Sequence, residues 1–191
     1  MTGSTLNMHY TIADPKTFGI SEYEPVLPIY HSGQPEDSKE HCSDLLHRLD
    51  RIDPDRLSPE NAYTYRLLHR SLENDLALAD FPYYNEPLSP SSGMQSQLPV
   101  LLAEYTFRTK RDVTDYLALL DQIDDYFSSL LLYEQEKAAA GFFMPACSSE
   151  KVRKQCDTIV TTEELAQGTH FLQTTFEDRL SELQKQGLFT P

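Results

Sequence analysis

Six histidines, three cysteines and thirty acidic side chains are the groups through which this chain could do chemistry. His41 and His47 stand six apart in HCSDLLH, more than one and a half helical turns, and so fall off a common face. A zincin helix carries two histidines four apart with Glu after the first, so that both imidazoles reach one metal while the acid activates water. No stretch of the chain has that pattern. His69 and Glu73 do share a face at i, i+4, but two ligands make a helix ion pair before they make a metal centre. Cys42 adjoins His41, yet helix geometry turns the two side chains apart. There is no G-x-S-x-G elbow, and the seven glycines form no phosphate-cradling loop.

Two local features stay open. Glu134 stands in register with Phe127, Leu130 and Leu131 on an otherwise apolar helix face, either as a helix-edge residue or pointing into a cleft. Arg108, Lys110 and Arg111 cluster at a corner between two helices. They either complement a helix C-terminal dipole or form a cationic spot for a carboxylate.

The elements that must position these groups are read from hydrophobic period. Leu6, Met8 and Tyr10 alternate, as in a strand, before the Asp14-Pro15 turn signal, and Pro25, Pro28, Gly33 and Pro35 follow closely. Residues 1–35 therefore read as an extended arm with one short strand-like stretch, which needs a partner for its backbone.

From Pro35 the period becomes helical. Cys42, Leu45, Leu46, Leu49 and Ile52 form one stripe, and Tyr65, Leu68, Leu72, Leu76 and Ala79 another, after a Ser58-Pro59 start. FPYYNEPLSPSSG, residues 81–93, is a loop long enough to be either mobile or occupied in recognition. A helix starting near Ser96 puts Pro99 in its first turn and Leu98, Leu101, Leu102 and Tyr105 inward. Thr109 and Asp112 have capping-box spacing ahead of Val113, Tyr116, Leu117 and Leu120. Further helices end at Gly141, start at Ser148 with Val152, Cys156 and Ile159, and close at Gly187. The sum is an all-α fold, about seven helices in an irregular bundle over residues 36–191 behind the arm.

Composition narrows the partners. At 39% hydrophobic residues the chain can bury a core, and its net charge of -14 opposes binding to nucleic acid or to anionic membrane surfaces. No apolar run reaches bilayer length, so membrane insertion is not expected. Three irregularly spaced cysteines fit no disulfide framework or zinc ribbon and read as small buried thiols.

The order of segments carries more than any single residue. LNMHYTIADPKTFGI, then GMQSQLPVLLAEYTFRTKRDVTDYLALL, YEQEKAAAGFFMP, CDTIV and FLQTTFEDRL together resemble the N-terminal half of the DUF885 family of large bacterial proteins. That resemblance spans about Leu6 to Leu180. It implies a helical, zinc-dependent peptidase-like parent whose C-terminal half carries an H-E-x-x-x-G-H type signature, with histidines on the metal and glutamate activating water.

The chain stops at Pro191 without that signature, so no catalytic or metal-binding residue carries over. The expectation is a non-catalytic lobe of a larger domain continuing past Pro191, with zinc in the missing C-terminal half. That half would be its partner, a peptide its substrate, and self-association would follow from exposed core. Relatives of the family are often exported, which implies an extracytoplasmic parent. On this reading Gln95 and Gln97 offer amides to a peptide backbone, Arg108 meets a substrate carboxylate, and Glu134 enters the cleft. The alternative is a stand-alone helical interaction module without catalysis.

Overall fold

A computed structural model describes residues 5–12, 14–20, 22–30 and 34–188. Nine α-helices and three short 3-10 turns form among them, with no strand. The ends of the arm at residues 1–4 and 31–33, the Gly33 turn signal included, and the chain end at Pro191 lie outside the described residues. The chain divides into two compact units. The first comprises residues 1–29, 86–131 and 143–191, the second residues 30–85 and 132–142.

The first unit begins with a correction. Leu6 to Tyr10, whose alternation suggests a strand, lies within helix α1, Thr5–Thr11. Leu6, Met8 and His9 are buried. A lone strand would leave its backbone unpaired, whereas a helix satisfies its own, and the Ile12 N–H closes the last turn on the Met8 carbonyl at 2.9 Å. The arm behind it, residues 22–30, has no regular secondary structure. A side chain supplies what a neighbouring strand would have given. The Gln122 amide donates to the Pro25 carbonyl (2.8 Å) and accepts from the Leu27 N–H (2.9 Å), and Leu27 is buried.

Helix α4, Met94–Ala103, starts two residues before Ser96, so Pro99 lies beyond the first turn and the helix loses one interior hydrogen bond. Leu98, Leu102 and Tyr105 face inward as expected. The carbonyls orphaned at its C-terminal end are met by side chains. Tyr10 donates to Leu101, while Arg179 donates to Leu102 (3.1 Å) and to Tyr105.

Helix α5, Lys110–Asp121, opens on the Thr109–Asp112 capping box read from the sequence. It buries Val113, Tyr116 and Leu119, leaving Leu117 exposed. Helix α6, Ile123–Ala139, turns Tyr126 and Leu130 inward, and Leu131 is exposed.

Helix α7, Ala146–Ile159, begins behind Pro145, so Ser148 is inside it rather than capping it. Cys147 and Cys156 are exposed and Cys42 alone of the three is buried, against the expectation of buried thiols. Helix α8, Thr162–Gln167, has only six residues, too few for period to reveal, though Thr161 caps it and Gly168 stops it. Helix α9, Phe171–Lys185, is capped by buried His170, whose Nδ1 accepts from the Leu172 N–H (3.3 Å) while Nε2 meets the Ile159 carbonyl (2.8 Å).

The second unit is a hairpin of α2, Gln34–Leu49, and α3, Pro59–Leu78, followed by residues 81–85 of the proline-rich loop and the end of α6. Ser58 caps α3 through the Asn61 N–H (3.3 Å), as its sequence predicts. His69 ties the hairpin, with Asp50 at 3.2 Å from Nε2 and Glu73 at 3.4 Å from Nδ1. The expected stripe of α3 is only half-buried, no residue of the helix is buried, and Tyr63, Leu67, Leu68 and Leu78 are exposed.

Candidate functional site

The second unit contains a cleft of about 930 Å³. It is lined by α2, the end of α3, the loop that follows, and Tyr133 and Glu136 of α6, whose last turns reach the backbone of the loop. Tyr133 donates its hydroxyl to the Pro82 carbonyl (2.7 Å), with the Asn85 carbonyl 3.2 Å away. Lys137, only 3% exposed, donates to the Asn85 carbonyl at 3.3 Å and stands 3.8 Å from the Glu134 carboxylate. A buried ammonium needs such partners, because desolvation without them costs several kcal/mol, on the order of 3 or more. Fixed in this way, the 3-10 turn Pro82–Tyr84 presents its rings to the cleft.

Those rings form a connected series. Tyr30 lies 5.3 Å from Tyr133, Tyr133 6.1 Å from Tyr83, and Phe81 5.5 Å from Tyr84, with Phe142 touching both Tyr83 and Tyr84. Tyr84 is 72% exposed and Phe81 53%, so this aromatic surface faces solvent. Among the charged residues lining it are Asp75, Asp80, Glu136 and Lys39, and Lys39 is ion-paired with Asp80. Rings, carboxylates and a carboxamide at Asn85 line the cleft together.

A second cluster, in the first unit, has more perturbed groups and less room. His9 stacks on Tyr105 with ring centres 3.7 Å apart, between the Arg108 guanidinium (3.4 Å) and the Asp112 carboxylate (3.9 Å). Burial pushes the His9 pKa below its ordinary 6.5. Asp112, the Thr106 carbonyl and Asp115 oppose that shift, while Arg108 adds to it. Burial raises Tyr105, wholly buried with a hydroxyl that has no hydrogen-bond partner among the described residues. Tyr23 is raised by burial and by Asp115, and Tyr10 is pushed up to about 12 by burial and Glu104. Here His9 and Tyr105 are packed core, while Tyr23 is half-buried and Tyr10 exposed.

The sequence candidates fall in different places. Gln95, 3% exposed, is a structural clamp: its amide donates to the Ser89 carbonyl (2.8 Å) and to Gln155 (2.9 Å), which in turn donates to the Pro90 carbonyl (2.9 Å). A Cβ at Gly93 would overlap the Gln95 side-chain oxygen and the Ser89 backbone, so glycine is required there. Gln95 also edges a smaller apolar pocket of about 270 Å³ with Leu98, Phe127 and Leu172.

Gln97 and Arg108 are exposed, the latter beside His9. Lys110 and Arg111 enter the first turn of α5, the positive end of its dipole. Arg111 is held there by Asp115 (3.4 Å), by the Tyr23 carbonyl (2.7 Å) and by the Tyr23 ring (4.2 Å). Glu134 faces Lys137, one residue from the cleft-lining Tyr133. Gln95, Gln97 and Arg108 belong to the first unit and Glu134 to the second.

The cleft residues Tyr30, Asp75, Phe81, Tyr83, Tyr84 and Glu136 were not singled out by sequence. Their signal was the tyrosine pair inside a loop too long for a simple connection.

Zinc, implied by the family resemblance, does not fit the residues present. Among the described residues no group of three or more His, Cys, Asp or Glu side chains could hold a metal ion. Asp50 and Glu73 approach opposite nitrogens of His69 and cannot converge with it on one ion. No described helix is long and apolar enough to cross a membrane.

Residues 16–188 match the family described as bacterial protein of unknown function (DUF885), and the chain belongs to that family. No curated protein and no solved structure gives a match.

Proposed function

We propose that this chain is a non-catalytic helical region of a DUF885 protein, which scaffolds a catalytic part lying outside these residues and lines a cleft for a peptide substrate. The observation that carries the reading is the tyrosine-lined cleft of the second unit. Its volume is that of a ligand site, and its rings are held open to solvent by the Tyr133 and Lys137 contacts to the loop backbone. On this reading the zinc centre of a peptidase is contributed by the catalytic part, and no reaction step runs through the residues described here.

Photo-crosslinking of the full chain tests it. Benzophenone-bearing peptides are expected to label Tyr83, Tyr84 and their neighbours, and mass spectrometry of the same mixtures is expected to find every peptide intact. Labels confined to other surfaces remove the cleft from the proposal, and cleavage by this chain alone removes its non-catalytic part.

The exposed Tyr63, Leu67, Leu68 and Leu78 on α3 favour a second reading, a helical interaction module. It predicts a monodisperse, cooperatively melting chain, whereas the scaffold reading predicts self-association on size exclusion.

A further inference from the structure

We infer that the cleft of the second unit receives a basic peptide segment, with a Lys or Arg side chain entering among the tyrosines and meeting the carboxylates of Asp75 and Glu136. The inference deepens the cleft reading and rests on it.

Charge decides the class of ligand. Lys39 is engaged by Asp80, leaving Asp75 and Glu136 on the cleft surface, and among the described residues no cationic side chain pairs with either. An anionic ligand would meet those carboxylates within a chain already at -14, so the surface selects against it. Aromatic chemistry points the same way. Ring faces attract ammonium and guanidinium groups through their quadrupole, and no Lys or Arg of the described residues lies over Phe81, Tyr83 or Tyr84. An uncharged apolar ligand would use the rings and leave two carboxylates to be desolvated beside it, which disfavours it.

The remaining features fit a peptide better than a small amine. The cleft volume of about 930 Å³ lies near the upper end for ligand sites, far above what one ammonium group fills. Asn85, on the cleft wall, makes no side-chain hydrogen bond among the described residues, so its carboxamide can offer both a donor and an acceptor to a passing backbone.

Fluorescence polarisation on the full chain tests the inference with three labelled peptides of one length, carrying arginine, citrulline or glutamate at the same position. The arginine peptide is expected to bind at least about tenfold more tightly than the citrulline peptide, with the glutamate peptide weakest. The double variant D75N/E136Q is expected to lose about tenfold in affinity for the arginine peptide and little for citrulline. The double variant D121N/E150Q makes the same change in net charge on exposed acids of the first unit and is expected to bind as the parent does. Equal affinities for the three peptides overturn the inference and leave the cleft reading standing. A loss in D121N/E150Q as large as in D75N/E136Q also overturns it, because attraction would then be a property of the whole charge. No binding by any peptide overturns inference and cleft reading together.

Discussion

The two units use the same aromatic residues to opposite ends. In the first, Tyr105, Phe107, Tyr116 and Phe176 pack with ring centres 5.5 to 6.2 Å apart, and the chain provides its own cation. The Arg179 guanidinium lies 4.7 Å from the Phe107 ring centre and 5.0 Å from that of Tyr116, and donates to the carbonyls at the end of α4. In the second, Phe81, Tyr83 and Tyr84 line a cleft with carboxylates beside them and no such guanidinium among the described residues. An aromatic cluster closed over an internal arginine is a joint between helices. One left open toward acids keeps its rings in solvent, where the proposed ligand would meet them.

The sharpest way to break that contrast is to remove the internal cation. Arg179→Leu keeps apolar bulk under the rings but leaves the Leu102 and Tyr105 carbonyls without their charged donor and frees the hydrogen bond to Thr175 (2.8 Å). Losing several hydrogen bonds from one charged donor is expected to cost about 3 kcal/mol. Urea denaturation followed by circular dichroism measures it. A loss below about 1 kcal/mol would mean that Arg179 is not the keystone of the closed cluster.

The closed cluster was partly legible in the sequence. The inward face of α4 and the Thr109–Asp112 box follow from local spacing, and Leu98, Leu102, Tyr105 and the cap all stand where spacing puts them. The role of Arg179 was not legible, because it reaches back to α4 across more than seventy residues of sequence. Helix α1 was misread for the opposite reason. Seven residues hold about two turns, too few to separate a period of 3.6 from one of 2, and burial of His9 against Tyr105 decided the matter.

The cleft was the least legible part. FPYYNEP announces a loop of consequence, but Tyr133 and Lys137 come from a helix distant in sequence, and each alone reads as an ordinary helix residue. Gln95 was legible as special, but its hydrogen bonds to Ser89 and Gln155 were not, since a buried amide can clamp a loop as readily as hold a ligand.

A smaller effect sharpens the claim that the first cluster is sealed. His9 is buried and neutral, so its pKa lies below 6.5 in the folded chain and near 6.5 in the unfolded one. As pH falls through 6.5 the unfolded state takes up a proton that the folded state refuses. Stability therefore declines from about pH 6.5 down to the folded pKa, with a slope of at most about 1.4 kcal/mol per pH unit for one proton. Denaturation midpoints across that range are expected to fall in the parent and to flatten in His9→Gln. An unchanged slope in the variant would place the acid sensitivity elsewhere.

The smallest expected effect on stability is the most telling for the open cluster. Tyr84 is 72% exposed and, among the rings of the described residues, touches only Phe81 and Phe142. Tyr84→Ala removes neither a buried hydrogen bond nor a core contact, so the urea midpoint should move by no more than about 0.5 kcal/mol, against about 3 for Arg179→Leu. Binding should respond in the reverse order. Losing one face of the aromatic surface is expected to weaken the arginine peptide about threefold to fivefold, the size of an exposed cation–aromatic contact, and to leave the citrulline peptide nearly unaffected. If Tyr84→Ala instead unfolds as easily as Arg179→Leu, the ring is core and the two clusters differ only in how tightly they close. If the fold stands and arginine binding is also untouched, the ring is idle and selectivity rests on the carboxylates alone. A stable variant with selectively weakened arginine binding separates a surface kept open for a ligand from one filled by the chain itself.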